Sequence, residues 1–157
     1  MESLDSLRQL FEYDYWANQE SLRSIMALES PSERVLKLAG HIVGAQRVWL
    51  GRLEAPAAAA PAPWPVVTME EAGAAFGEMY ERWNAFFRKL RPEHLDEDLV
   101  HHNSKGAEFR VPLRDVLMQL VTHGAYHRGQ IAAIVREAGG SPSSTDYITY
   151  ARRQRAK

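Results

Sequence analysis

The chain contains no cysteine among its 157 residues. This absence excludes disulfide bonds, zinc sites built on thiolates and any nucleophilic thiol supplied by the protein itself. An excess of one charge sign is also missing, because 19 basic residues nearly balance 20 acidic ones and leave a formal net charge of -1. Without a basic excess, a protein has little electrostatic attraction to nucleic acids or anionic membranes. We therefore expect no nucleic-acid partner and no membrane partner.

Long apolar runs are absent as well. No stretch approaches the roughly 18–20 consecutive apolar residues that a membrane-spanning helix needs, and the acidic start MESLDS does not resemble a secretory signal. Hydrophobic residues make up 45% of the chain, a proportion typical of globular domains and too high for a disordered chain. The sequence predicts a single domain over residues 1–157 and a cytoplasmic location.

Four segments carry apolar residues at the three- and four-residue spacing of amphipathic helices. The first ends at a break over residues 28–31, since the residue before a proline is disfavoured in helical geometry. Ser30 and Glu33 then match a capping box, with Pro31 in the first helical position. We expect the second helix to begin there.

The third and fourth helices also have recognisable ends. Thr68 and Glu71 form another capping-box pattern, directly ahead of the third apolar stripe. The fourth stripe begins after Pro112 and stops at the glycine pair 139–140. Residues 141–147 are turn-rich, and the basic residues 151–157 that end the chain are expected to be solvated.

Two connections differ in kind from tight turns. Residues 55–65 are almost entirely alanine and proline, which favours an extended, semi-rigid spacer and a crossover between helices. Residues 99–103 and 107–111 alternate around a turn containing Gly106, which predicts a small β-hairpin before the last helix. The elements together predict an all-α fold, a four-helix bundle with one long crossover and that hairpin.

Three of the six histidines occupy inward-facing positions. On a helical wheel at about 100° per residue, His123 and His127 fall within roughly 60° of Leu120 on the apolar face. His41 lies beside the apolar stripe of the second helix by the same measure. Neutral imidazole is the commonest metal-ligating side chain, and three such ligands with an open position are typical of a catalytic metal site. The alternative interpretation is a set of hydrogen-bonded core histidines.

The other three histidines are assigned to loops. We expect His94, His101 and His102 to be solvent-exposed. The last two can line the mouth of the site only if the hairpin folds over it.

Polar residues also interrupt the apolar face of the first helix. Asp14 and Asn18 fall on the same face as Phe11 at the helical spacing. They either satisfy other buried polar groups, or accept a hydrogen bond from a ligating imidazole or contact substrate. Gln130 lies on the same edge of its helix as His123 and is open to a similar role. Trp16 and Trp64 lie off the apolar stripes. Because exposed tryptophans are common at protein interfaces, both are candidate subunit contacts.

Residues 14–18 (DYWAN), His41 with Gln46 and Trp49, and residues 123–130 (HGAYHRGQ) resemble the DinB family of metalloenzymes. The most specific part of this resemblance is the HxxxHRGQ pattern. It implies an up-down-down-up four-helix bundle related to bacillithiol transferases and mycothiol-dependent isomerases.

The resemblance also implies a cofactor. Family members hold a divalent metal, commonly zinc or nickel, through three histidines that match His41, His123 and His127. All three are present here. Homodimers are frequent among the relatives, which implies a homodimer for this chain too.

The leading functional hypothesis is a metal-dependent S-transferase that acts on small electrophiles. Because the chain has no cysteine, the sulfur would come from a low-molecular-weight thiol such as bacillithiol, mycothiol or glutathione. A hydrolase that uses a metal-bound water is the second hypothesis, although no glutamate lies beside the paired histidines to act as a general base. The third is a non-catalytic, stress-related metal-binding protein.

Overall fold

A computed structural model describes residues 3–56, 58–103 and 105–156. Over those residues the chain forms five α-helices, one 3-10 turn and a two-stranded antiparallel sheet. Their bounds are α1 Leu4–Met26, α2 Glu33–Glu54, α3 Met69–Lys89, the 3-10 turn Pro92–Asp96, β1 Asp98–His102, β2 Glu108–Pro112, α4 Leu113–Glu137 and α5 Tyr147–Arg155. The protein is therefore mostly helical, with a small sheet directly before α4. None of the helices described is long and apolar enough to cross a membrane.

The four long helices pack around a shared apolar core. Helix α1 contacts both α3 and α4, and α2 contacts the same two helices. The core side chains with no more than 1% exposure include Leu7, Ile25, Val35, Leu50, Met79, Leu117 and Val135. Burying each large aliphatic side chain contributes about 1.5–3 kcal/mol before conformational entropy is subtracted. This packing holds α2 and α4, the helices that carry the three inward-facing histidines, against each other.

The second helix starts later than its sequence predicted. Helix α2 begins at Glu33, and its N-cap is Ser32, whose side chain accepts a hydrogen bond from the Val35 amide. The prediction of a start at Pro31 was wrong by two residues. Both Ser30 and Ser32 have a capping hydroxyl, and capping by Ser32 places the Glu33 carboxylate in the first turn, where the helix dipole favours it.

The other predicted ends are confirmed. Thr68 accepts a hydrogen bond from the Glu71 amide, and the Glu71 carboxylate accepts one from the Thr68 amide, which completes the capping box of α3. Helix α4 ends before Gly139, which has a φ of 82° that side chains rarely adopt. The hairpin is present too, with Gly106 at a φ of 79° in its turn.

The C-terminal segment contains a fifth helix that the sequence did not predict, although residues 152–156 are exposed, as expected. Residues 147–155 form α5, and Tyr150 on this helix is only 3% exposed. Tyr150 packs against Tyr13 and Trp16 of α1, with ring centroids 5.8 and 5.6 Å away. Trp16, expected at a subunit contact, is thus partly covered by α5 of its own chain. The fifth helix was missed because α1 presents aromatic side chains on a second face, which a single apolar stripe does not reveal.

Candidate metal centre

Three histidine side chains converge between α2 and α4. The Nε2 atom of His123 lies 3.1 Å from Nε2 of His41 and 3.1 Å from Nε2 of His127. One ligand atom from each ring lies within 4.8 Å of the other two. His127 is buried, whereas His41 and His123 are half-buried. The grouping expected from the helical spacing is therefore present, and it opens towards the protein surface.

The outer nitrogens of two rings define where their protons lie. Nδ1 of His41 is 2.7 Å from the Pro63 carbonyl oxygen, and Nδ1 of His127 is 2.7 Å from Oε1 of Gln130. Both oxygens only accept hydrogen bonds, so each Nδ1 must carry the proton. In the neutral rings, Nε2 of His41 and Nε2 of His127 therefore present lone pairs to the cluster. Gln130, left open by the sequence, contacts His127 directly.

Hydrogen bonds within the cluster cannot satisfy all three Nε2 atoms when the rings are neutral. His123 can place at most one proton on its Nε2, which then satisfies only one of the two facing lone pairs. Further protonation is disfavoured, because burial and the neighbouring imidazoles lower the pKa of His123 to about 4. Burial also lowers the pKa of His41. The hydrogen bond to the Pro63 carbonyl opposes this shift, and the neighbouring His127 adds a smaller lowering. With all three rings neutral, at least one nitrogen lone pair therefore faces the cluster without a hydrogen-bond donor.

This donor set fits a divalent metal ion. Imidazoles on one tetrahedral zinc, with bonds of about 2.0–2.1 Å, have nitrogens roughly 3.3 Å apart, close to the 3.1 Å separations observed. Neutral imidazole suits zinc, nickel, copper and iron. The hydrogen bonds from Nδ1 to Pro63 and Gln130 are the outer contacts that orient ligating histidines in metalloproteins.

Asp14 and Asn18 belong to a neighbouring polar network. The Asp14 carboxylate accepts hydrogen bonds from Arg128, Asn18 and Gln46, at 2.5, 2.9 and 2.8 Å. Arg128 also donates to the Asn18 side-chain oxygen at 2.8 Å. Of the alternatives for Asp14 and Asn18, the structure fits the one in which they satisfy other buried polar groups. The network joins α1, α2 and α4, and so holds together the helices around the histidines.

The polar network is deeply buried, and it leaves no room for a side chain at Gly124. Arg128 is 1% exposed and Asp14 is 3% exposed. A Cβ at Gly124 would lie 2.6 Å from Asp14 Oδ1 and 2.8 Å from Arg128 Nη1, so the ion pair needs glycine there. The sequence analysis assigned no role to Arg128, which directly follows His127. The available signal was that Arg128 does not lie on the solvent-facing side of its helix.

The end of the alanine- and proline-rich connection contacts the cluster at His41. The indole of Trp64 stacks on the imidazole of His41, with centroids 3.5 Å apart and planes 4° from parallel. Trp64 remains 53% exposed. Sequence reasoning treated this connection as a spacer and therefore missed Pro63 and Trp64 as neighbours of the site. The signal was the pair Gly40 and Gly44, which lie four residues apart on one helix face and permit another backbone to approach.

The remaining histidines lie elsewhere. His101 is half-buried rather than exposed, because its ring packs on Phe109 of β2 and on Trp49 of α2. Trp49 lies about two helical turns beyond His41. His102 is exposed, as expected. His94 is half-buried, and its Nδ1 accepts a hydrogen bond from the Arg91 amide. The hairpin therefore packs on a different part of α2 from the cluster, and exposure was predicted correctly only for His102.

The fold and the site define a mostly helical protein with a three-histidine cluster between two of its helices. The chain belongs to the DinB family, whose model matches residues 4–157. It is 26% identical over 159 residues to Protein DinB of Bacillus subtilis (strain 168), with 90% of this chain and 91% of that protein covered.

A solved structure has the same fold. The crystal structure of a DinB-like protein from Bacillus cereus ATCC 10987 matches with a TM-score of 0.66 at 19% identity. The match covers 91% of this chain and 97% of the other. The helices and the small sheet described above are thus a family fold.

Proposed function

We propose that the chain is a divalent-metal-dependent enzyme in which His41, His123 and His127 hold zinc or nickel. One observation carries the proposal: His123 Nε2 lies 3.1 Å from Nε2 of His41 and 3.1 Å from Nε2 of His127, and these two other rings have their protons on Nδ1. A cation satisfies all three lone pairs at once, whereas neutral histidines alone leave one of them without a donor. This arrangement favours a metal site over hydrogen-bonded core histidines.

The reaction we propose is transfer of a low-molecular-weight thiol to a small electrophile. When bound at the three histidines, a divalent cation lowers the pKa of a coordinated thiol and so presents it as a thiolate. In the transfer, that sulfur forms a bond to an electrophilic carbon, the bond from this carbon to its leaving group breaks, the leaving group departs with the electron pair, and the thiol proton passes to solvent. When His41 and His123 hold the metal, their Nε2 lone pairs are occupied, so these rings do not take up that proton. The sulfur must come from a small molecule, since the chain has no cysteine.

A surface groove beside Trp64 supports a small-molecule substrate. The groove has a volume of about 390 Å³ and is lined by Glu33, Arg34, Lys37, Leu38 and Trp64. Lys37 is paired with Glu33 at 2.7 Å, and Arg34 is the other cationic side chain of the groove and suits a thiol that carries a carboxylate. By contrast, the cavity beside Asp14 inside the protein has room for about 10 Å³, which is enough for one water molecule and not for a substrate.

Metal content tests the site first. Protein purified without a histidine tag should contain close to one zinc or nickel per chain, and His123→Ala should lose it. His94→Ala is the matched control, because His94 lies outside the cluster, and should retain the metal. Equal metal content in all three proteins would contradict the site.

Turnover assays with and without added thiols then separate the three functions. Consumption of a model electrophile that depends on both metal and thiol supports the S-transferase. Metal-dependent hydrolysis that needs no thiol would instead assign a hydrolase. Stoichiometric metal with neither activity would leave the non-catalytic, stress-related metal-binding protein.

The proposal extends to architecture and assembly. We propose a single domain over residues 1–157, an up-down-down-up four-helix bundle that functions as a homodimer in the cytoplasm. The packing of α1 and of α2 against both α3 and α4 supports the bundle. Sedimentation equilibrium tests the dimer, for which the mass should be twice 17.8 kDa. One cooperative calorimetric transition would support the single domain.

A further inference from the structure

The connection between α2 and α3 crosses the face of α2 that carries His41. We call residues 63–67 of this connection the strap. We propose that the strap is a positioning element for His41: it holds the His41 proton on Nδ1 and so keeps Nε2 free for a metal. The inference rests on the proposed metal site and adds to it an element outside the three ligands.

Two strap contacts constrain the imidazole in perpendicular directions. In the plane of the ring, His41 Nδ1 donates a hydrogen bond to the Pro63 carbonyl oxygen at 2.7 Å. Above that plane, the Trp64 indole stacks at 3.5 Å with an interplanar angle of 4°. Rotation of the imidazole out of its plane would break both contacts, and a flip of the ring by 180° would lose the hydrogen bond. The strap therefore selects the orientation of the ring as well as its tautomer.

The strap can lie this close only because α2 has glycine at two positions. A Cβ at Gly40 would lie 2.6 Å from the Pro65 carbonyl oxygen, and a Cβ at Gly44 would lie 2.5 Å from that of Pro63. Real Cβ atoms do not approach so closely, and the obstructing atoms are backbone. Glycine is unfavourable within helices, so two of them on one face are explained by the passage of another backbone.

The prolines of the strap prepare it for this position. Pro63 and Pro65 have restricted φ angles and no amide hydrogen, which favours an extended conformation with few competing states. Their carbonyls both face α2, and the Pro63 carbonyl is the acceptor for His41. Without that acceptor, His41 is free to place its proton on Nε2, and a protonated Nε2 cannot bind a metal.

The deciding experiment compares two glycine substitutions in α2. Gly44→Ala pushes against the Pro63 carbonyl, whereas an alanine Cβ at Gly51 meets none of the described atoms within 4 Å. Both changes remove one helical glycine, so Gly51→Ala controls for helix propensity. Circular dichroism confirms that each variant folds. Nitrogen-15 NMR of the metal-free proteins reports which His41 nitrogen carries the proton, and chelator competition reports zinc affinity.

We expect the wild type and Gly51→Ala to show His41 protonated at Nδ1. Gly44→Ala should lose this signature and bind zinc about 10–100-fold more weakly, the usual effect of losing an outer contact to a ligating histidine. A Gly44→Ala protein with the wild-type tautomer and the wild-type affinity would overturn the inference. So would an equal loss of affinity in Gly51→Ala.

A second variant decides the matter if Gly44→Ala does not fold. Trp64→Ala removes the stacking contact from an exposed side chain and introduces no clash. It should weaken zinc binding and broaden the His41 ring signals, while wild-type values for both would refute the positioning role. The tautomer measurement needs no metal. A wild type that binds no zinc but keeps the proton on Nδ1 would therefore refute the proposed metal site and leave the positioning of His41 intact.

Discussion

The buried ion pair between Asp14 and Arg128 is the most exacting test of how the site is supported. Asp14→Ala removes the carboxylate and leaves the guanidinium, which is 1% exposed, without a counter-charge. Arg128 would keep the Asn18 side-chain oxygen and the Tyr13 hydroxyl as acceptors, but neither is charged. Its Nε already has no partner among the residues described.

Breaking such a pair costs about 3–5 kcal/mol, because one charge stays buried without compensation. Domains of this size have a free energy of unfolding of roughly 5–15 kcal/mol, so the loss is a large fraction of the total stability. Gln46 and Asn18 also lose an acceptor in Asp14→Ala, which places the expected cost in the upper half of that range. Arg128→Met should be similarly costly, since it leaves the carboxylate buried.

Urea unfolding followed by circular dichroism measures these losses. The double variant Asp14→Ala/Arg128→Met should be at least as stable as either single variant, because neither charge then remains alone. Asp5→Ala is the matched control on α1: its ion pair with Arg8 is exposed, so its loss should cost less than about 1 kcal/mol. Single variants that cost no more than this control, or a double variant that costs their sum, would refute the reasoning.

Three further predictions concern the cluster and the helix ends. His123 has a pKa of about 4 in the folded metal-free protein, below its unfolded value near 6.5. As the pH falls from 6.5 towards 4, the unfolded state takes up a proton that the folded state does not, so the free energy of unfolding decreases over this range. Urea unfolding across this range should show a smaller loss in His123→Phe than in the wild type. Gln130→Ala should weaken zinc binding about 10–100-fold in chelator competition, whereas Gln130→Glu, which keeps an acceptor for His127, should not. Thr68→Ala should lower the free energy of unfolding by about 1 kcal/mol because α3 loses its cap, and an unchanged urea midpoint would contradict that assignment.

Much of the local structure could be predicted from the sequence. The capping box at Thr68, the stop at Gly139 and the hairpin turn at Gly106 depend on groups within a few residues of each other, and all three are present. The pairing of His123 with His127 follows from the helical repeat alone. Even at this level, neighbouring serines with equivalent hydroxyls were enough to misplace the start of α2.

Periodicity along the chain is enough to specify the helices, their apolar faces and therefore which three histidines point inward. What surrounds those histidines depends on tertiary packing. Trp64 stacks on His41 because two backbones approach at a pair of glycines, and Arg128 reaches Asp14 across 114 positions of sequence. The fifth helix exists because α1 offers it a second aromatic face. Periodicity reports the environment of a residue along its own helix, whereas the identity of its partners depends on how separate elements fill space together.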